Sequence, residues 1–354
     1  MFSFKQFLFL ISFKFAISSY FDENISEIQC KCVPPHLCAD HDEAANGQGL
    51  LDIRFEDDSC PNHFDVCCET PLETSPKPLP SKKCGFANSQ GIGPRITSDS
   101  EVVQFGELPW TVLVFVTSQT VEKAPLICGG SLIHPQVVLT AGHCVSTTSS
   151  DTVKVRAGEW NIKRTDEPYP HQDEFVKEIL VHPQYKTGTL WNDIALLVLN
   201  QAFVVKANIG FICLPGGKLK VDEKRCVASG WGRKATARGR LSAVLKKVTV
   251  PLVGRNKCQK ALRGTKLGKA FRLHKSFMCA GGEKNRDACK GDGGSPLICP
   301  LEEEGRFVQV GIVSWGIGCG GNKTPGVYVN LPMYTNWVDR HMKERNFSTS
   351  YYKV

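Results

Sequence analysis

The sequence predicts an all-β fold closed by a C-terminal helix and fronted by a small module stapled by disulfides. Three observations carry this. From Cys84 onward, short β-branched runs recur at residues 112–116, 137–140, 153–155, 194–199, 308–313 and 326–329. Gly and Pro punctuate them, the pattern of many short strands. Residues 333–343 place apolar side chains at helical spacing. Six of the sixteen cysteines fall between residues 22 and 70, a segment too short to hold itself by core burial alone.

The chain begins with a charge at Lys5, an apolar run over residues 7–17 and small residues at Ala16, Ser18 and Ser19. This reads as a secretory signal peptide over residues 1–20. The run is too short for a membrane span, which needs roughly 20 apolar residues, and no later segment qualifies. The mature chain is therefore expected to be secreted and extracellular. An even number of cysteines in an exported chain implies disulfides. Thiolate metal ligands at Cys30, Cys32, Cys67 and Cys68 are the weaker alternative, because paired Cys-x-x-Cys knuckles are missing. Asn24, Asn322 and Asn346 open Asn-x-Ser/Thr triplets and are glycosylation candidates.

A hydrophobic content of 42% fits an ordinary packed core and excludes wholesale disorder. The net charge of +8 hides an asymmetry. Residues 22–69 carry twelve Asp/Glu against Lys31 and Arg54, while residues 218–275 carry eighteen Lys/Arg against Asp222 and Glu223. Such runs are most often solvated faces, yet opposite signs within one chain also suit electrostatic docking. The acidic module is expected to be able to dock on the basic stretch of a neighbouring copy, giving self-association after cleavage. No nucleic-acid module signature is present, so nucleic acid is not an expected partner. Residues 71–83 form a proline-rich, semi-rigid linker.

Four motifs appear in a fixed order: Thr140-Ala-Gly-His143-Cys144, Asn192-Asp193-Ile-Ala, Cys289-Lys-Gly-Asp-Gly293-Gly-Ser295-Pro, and Ser314-Trp-Gly316. With Gly230-Trp-Gly232 and Pro325-Gly326-Val-Tyr328, they resemble the chymotrypsin-like (trypsin-type) serine proteases from Cys84 almost to the C-terminus. The resemblance implies two antiparallel six-stranded β-barrels with a C-terminal helix, here over residues 96–345, and a tail at 346–354.

In this family a hydroxyl attacks a carbonyl, an imidazole takes its proton, and a buried carboxylate fixes the imidazole tautomer. By resemblance His143 is the base and Asp193 its partner. The nucleophile loop, however, places Gly293 where the serine belongs. Ser295 lies two residues on, displaced by up to ~7 Å along an extended chain, whereas nucleophile and base must approach to roughly 3 Å. The loop also supplies backbone N–H groups, those of Gly291 and Gly293, to the oxyanion hole, so it cannot slide. The chain is therefore expected not to be a working protease, and His143 and Asp193 are expected to persist as triad remnants that support the fold.

The resemblance also implies a specificity pocket, with Asp287 at its floor and Ser314, Gly316 and Gly326 along its walls. Such a carboxylate suits a guanidinium; an unused relic explains it equally well. The implied disulfides are Cys84–Cys213, Cys128–Cys144, Cys226–Cys299, Cys258–Cys279 and Cys289–Cys319. The activation stretch reads Arg95-Ile96-Thr-Ser-Asp without the family's glycines. Arg95 is a cleavage candidate, and Arg54 is a second. The loop opening at Gly158 resembles the family's calcium loop, with Glu159, Asn161, Asp166 and Glu167 as candidate ligands of a structural calcium ion; a solvated acidic loop is the alternative. No other cofactor is expected.

Residues 30–68 run Cys-x-Cys-x5-Cys-x21-Cys-x6-Cys-Cys, with Gly49-Leu-Leu-Asp-Ile-Arg-Phe55 between. Over residues 21–70 this resembles the clip domain of arthropod immune proteases, with implied pairs Cys30–Cys67, Cys32–Cys60 and Cys38–Cys68. The linker and activation region then span residues 71–95. A clip domain on a scaffold lacking the nucleophile resembles the non-catalytic clip-domain serine protease homologues, including prophenoloxidase-activating cofactors of insect haemolymph. The implied partners are prophenoloxidase or phenoloxidase and an upstream activating clip protease. Microbial-surface recognition through the basic region, or a decoy that blocks melanisation, is the alternative, and a protease using Ser295 is the least favoured.

Overall fold

The computed structural model describes residues 31–33, 66–68, 84–89, 91–92, 101–116, 126–216, 225–232, 242–283, 292–301, 305–318 and 323–354. The chain divides into two compact units, Met1–Pro76 and Lys77–Val354. Arg54, Arg95, Asn24, Asn322, Asp287, Cys289 and Cys319 lie outside the described residues, as do Cys30, Cys38 and Cys60.

In the first unit, β1 (Lys31–Val33) and β2 (Val66–Cys68) pair antiparallel, with Cys32 opposite Cys67. Cys32 is disulfide-bonded. The implied clip pairs each include a residue outside the described set.

The second unit contains two closed antiparallel barrels. The first is built from β3 (Thr111–Val116), β4 (Leu126–His134), β5 (Val137–Thr140), β6 (Val153–Ala157), β7 (Gln172–Val181) and β8 (Ala195–Leu199). The second is built from β9 (Arg225–Gly230), β10 (Lys246–Val253), β11 (Phe277–Gly281), β12 (Pro296–Pro300), β13 (Phe307–Trp315) and β14 (Pro325–Asn330). Counted from its own first strand, each barrel closes in the order one, two, three, six, five, four. Closure removes the free edges that an open sheet of this kind would expose. The strands follow from their side chains: β6 (Val-Lys-Val-Arg-Ala) alternates inward Val and Ala with outward cations. By contrast β5 and β8 are buried throughout and carry only apolar residues and Thr140.

The barrels meet along a polar seam that fixes their register. Ser131 on β4 donates to Gln309 Oε1 on β13 at 2.6 Å, and both side chains are fully buried. Close by, Gly129 N–H donates to Gly293 O at 2.9 Å. A buried hydrogen bond costs much more to break than it contributes net, so this seam resists sliding.

Helix α3 (Thr335–Glu344) buries Trp337, Val338 and Met342. Two residues past its end, Asn346 adopts a φ of +57°, the left-handed conformation that closes many helices. Residues 346–354 do not leave the domain as a tail. Tyr352 is fully buried, its carbonyl accepts from Leu214 N at 2.8 Å, and Phe347 and Tyr351 pack on His134. The aromatic content of this segment makes it core rather than solvated chain. Cys84, counted above with the linker region, is likewise fully buried and bridged to Cys213, and Gly85 N–H donates to Phe211 O at 2.7 Å.

Candidate functional site

His143 lies in α1 (Gly142–Val145), the short turn that follows β5, and Cys144 ties that turn to Cys128 on β4. Asp193 lies two residues before the start of β8. It is fully buried and accepts three hydrogen bonds: His143 N–H at 2.7 Å, His143 Nδ1 at 2.7 Å and Ser314 Oγ at 2.5 Å. A buried carboxylate survives only when its lone pairs are filled in this way. The loop leading to it is strained, since Leu190 and Asn192 adopt φ of 55° and 56°. Tyr334 OH holds Asn192 Oδ1 at 2.8 Å.

Base and orienting carboxylate are thus assembled, but the base faces a glycine. A Cβ built on Gly293 sits 2.8 Å from His143 Nε2 and 3.2 Å from Cε1. The imidazole stands over a residue with no side chain, so the site holds a proton acceptor without the hydroxyl it would deprotonate. Ser295 does not replace the missing group. Its side chain is 1% exposed, and Oγ points between Gly129 and Gly230 without a hydrogen-bond partner. Asp292 turns toward Gly232, accepting its N–H at 2.7 Å. Gly291 lies outside the described residues.

Of the pocket residues, Ser314 serves Asp193 directly, a role that the sequence pattern did not mark. Gly316 is exposed with little around its Cβ position, and Gly326 is buried in β14 opposite Ala280. Trp315, between Ser314 and Gly316, is wedged edge-on against Phe271 and Phe277.

Four of the implied disulfides lie among the described residues: Cys84–Cys213, Cys128–Cys144, Cys226–Cys299 and Cys258–Cys279. They tie the N-terminal segment to the unit, brace the histidine turn, join β9 to β12, and fasten α2 (Arg255–Arg263) to β11.

The acidic loop departs from the expected ligand set. Glu159 and Glu167 converge, and the third member is His171; donor atoms of the three lie within 4.8 Å of one another. Glu159 is buried, with Arg156 Nη1 at 3.2 Å and His171 Nδ1 at 3.5 Å from Oε2. Glu167 Oε1 accepts Asn161 N–H at 2.8 Å, while Oε2 is buried with no partner. Burial pushes the Glu167 carboxyl up to about 7. Asp166 instead makes an exposed pair with Arg164 at 2.5 Å, and Asn161 Oδ1 accepts Lys163 N–H at 3.2 Å. The tight turn between Asn161 and Arg164, closed by a 2.8 Å backbone bond, aims these two side chains away. His171 was not foreseen, because it reaches the loop only through β-sheet pairing downstream. The orphaned Glu167 oxygen beside Glu159 fits a hard cation such as calcium.

The paired barrels and the His143–Asp193–Ser314 constellation define a trypsin-type serine protease scaffold, and a family model described as Trypsin matches residues 98–338. A second, described as Serine protease Clip domain PPAF-2, matches residues 21–69. The chain belongs to the clip-domain serine protease homologues of the trypsin family. It is 47% identical over 298 residues to phenoloxidase-activating factor 2 of Galleria mellonella, covering 80% of this chain and 97% of that one. It is 39% identical to Inactive CLIP domain-containing serine protease A28 of Anopheles gambiae, covering 92% and 93%. Inactive CLIP domain-containing serine protease A8 of the same species is 38% identical, covering 87% of each. No helix among the described residues is long and apolar enough to cross a membrane.

Proposed function

We propose that this protein is secreted and non-catalytic, and that it acts as a cofactor in prophenoloxidase activation during melanisation. The observation that carries the reading is a glycine at position 293 facing an assembled His143–Asp193 pair: the protease scaffold is kept, and the attacking hydroxyl is missing. The names of its relatives, one a phenoloxidase-activating factor and others inactive clip proteases, support the assignment. In this reading an upstream clip protease cuts the chain at Arg95 or Arg54, and the product binds prophenoloxidase or phenoloxidase and raises the yield of active enzyme. The test combines purified prophenoloxidase, its activating protease and this protein before and after limited cleavage. Phenoloxidase activity that depends on the cleaved form supports the reading. Activity unchanged by the protein rejects it, and activity lowered by it indicates a decoy.

We also propose Glu159 and Glu167 as calcium ligands, with the ion satisfying the partnerless Glu167 oxygen beside Glu159. Asp166 and Asn161 have no part in it through their side chains.

A further inference from the structure

Between Arg255 and Lys275 the chain has eight Lys/Arg and no Asp or Glu, and from Lys257 onward one cation falls at every third residue. The segment comprises α2 and the loop that returns to β11. Helix α2 buries Cys258 and Leu262, and the Cys258–Cys279 bridge staples it to β11. Two of the eight cations fold the loop back onto the helix. The Arg255 guanidinium donates to Leu273 O and His274 O, and Arg263 Nε donates to Phe271 O at 2.8 Å. Gln259 Oε1 adds a bond from Leu273 N–H at 2.9 Å.

The remaining six, Lys257, Lys260, Lys266, Lys269, Arg272 and Lys275, are exposed. None of them pairs with a carboxylate among the described residues. A solvated face in a protein of mixed charge ordinarily intersperses acids. Here unopposed cations are held on a cross-linked support.

The chemistry of the strip narrows its partner. Tight folded-protein interfaces are anchored by Trp, Tyr and Arg side chains in a desolvated centre, and the strip offers a single exposed Arg with no exposed aromatic beside it. Among the described residues the large exposed apolar side chains are Ile162, Phe175, Val204, Val205, Met333 and Val354, and none lies in this segment. Single-stranded nucleic acids need aromatic faces on which bases stack. Phe271 is turned edge-on to Trp315, and His274 is already stacked on Trp191 at 4.3 Å. What remains is charge on flexible stems. Five of the six groups are lysines, which act as point charges toward phosphate.

We propose that this strip binds a linear polymer of phosphodiesters on a polyol or sugar backbone, through charge alone. Binding of this kind releases counterions and weakens steeply with salt.

The experiment uses the full chain and fluorescent poly(glycerol phosphate), read by anisotropy. With roughly four phosphates engaged, raising salt from about 50 to about 200 mM weakens binding on the order of 50-fold by the single-strand slope. Lys257→Glu with Lys260→Glu, and separately Lys269→Glu with Arg272→Glu, each weaken it about 10-fold or more. Lys163→Glu with Lys177→Glu, an equal change in net charge elsewhere on the surface, changes it less than about twofold. Equal weakening by all three pairs overturns the proposal, as does no binding at about 0.1 M salt. Tighter binding of single-stranded DNA or of a sulfated polysaccharide of matched charge also overturns it. If the strip variants change only self-association in sedimentation and leave polymer binding unmoved, the strip serves a second copy and the proposal falls.

Discussion

A Cβ on Gly293 would stand 2.8 Å from Nε2 of His143, which is itself held to Asp193 through Nδ1 at 2.7 Å. The imidazole is therefore fixed from behind and stands over the glycine. Gly293→Ser is expected to overpack this contact at a cost of about 1–3 kcal/mol. Although the substitution completes the residue set, turnover of an Arg-amide substrate is expected to stay low while the new side chain crowds Nε2. Adding His143→Ala should combine non-additively with Gly293→Ser, as contacting residues do, and a melting series over the double-variant cycle reads that coupling.

Ser295 and Gly129 make a second tight pair, with Ser295 Oγ directed into the space above Gly129 and partnerless. Gly129→Ala is expected to cost about 1–3 kcal/mol, and Ser295→Gly to relieve much of that in the double variant. Such strong coupling is expected only of residues in contact. A serine-directed covalent probe should leave Ser295 unlabelled; labelling there would revive the protease reading.

Asp193 is expected to matter to stability in its own right. Asp193→Ala leaves His143 N–H, His143 Nδ1 and Ser314 Oγ without their buried acceptor. The expected loss is about 3–5 kcal/mol, in the range seen when one partner of a buried charged network is removed. The denaturation midpoint measures it, and an unchanged midpoint would show that the constellation no longer supports the fold.

His134 gives the C-terminal segment a pH dependence. Its ring packs on Phe347 and Tyr351 at 4.8 and 4.7 Å, and burial pulls its pKa down to about 4 from 6.5. The folded state thus favours the neutral ring. Its contribution to stability is present above about 6.5 and is lost as pH falls through about 4. Discounted for its partial exposure, the loss is on the order of 1 kcal/mol. Melting temperatures across this window should fall less steeply for His134→Phe than for the parent.

Calcium should raise the melting temperature and a chelator should lower it, with Glu167→Gln abolishing the difference. Asp166→Asn should leave it intact, because that carboxylate is engaged by Arg164 outside the converging set. An equal effect of both substitutions would assign the shift to general charge screening.

The sequence and the fold speak to each other unevenly. Residues 137–140 coincide with β5, and residues 333–343 overlap α3, because those stretches are apolar on the faces they bury. Strands β7 and β10 were hidden: Gln172–Val181 alternates charges with few β-branched residues, and Lys246–Val253 contains a proline. The positions of His143, Asp193 and Gly293 were legible as motifs. The imidazole resting on the glycine, Ser314 bonding Asp193, and His171 joining Glu159 were not. Each is a through-space contact between distant segments, which local pattern does not encode.

The buried Cys84–Cys213 bridge has a topological consequence. Any single cut between these two residues, including one at Arg95, leaves both fragments covalently joined. Sedimentation mass stays constant while two new chain ends appear. The upstream segment, leashed by residues 71–83, remains at a high effective concentration whatever the dilution of the whole. A cut within this span thus changes the connectivity of the molecule, and dividing it there also requires reduction of the bridge.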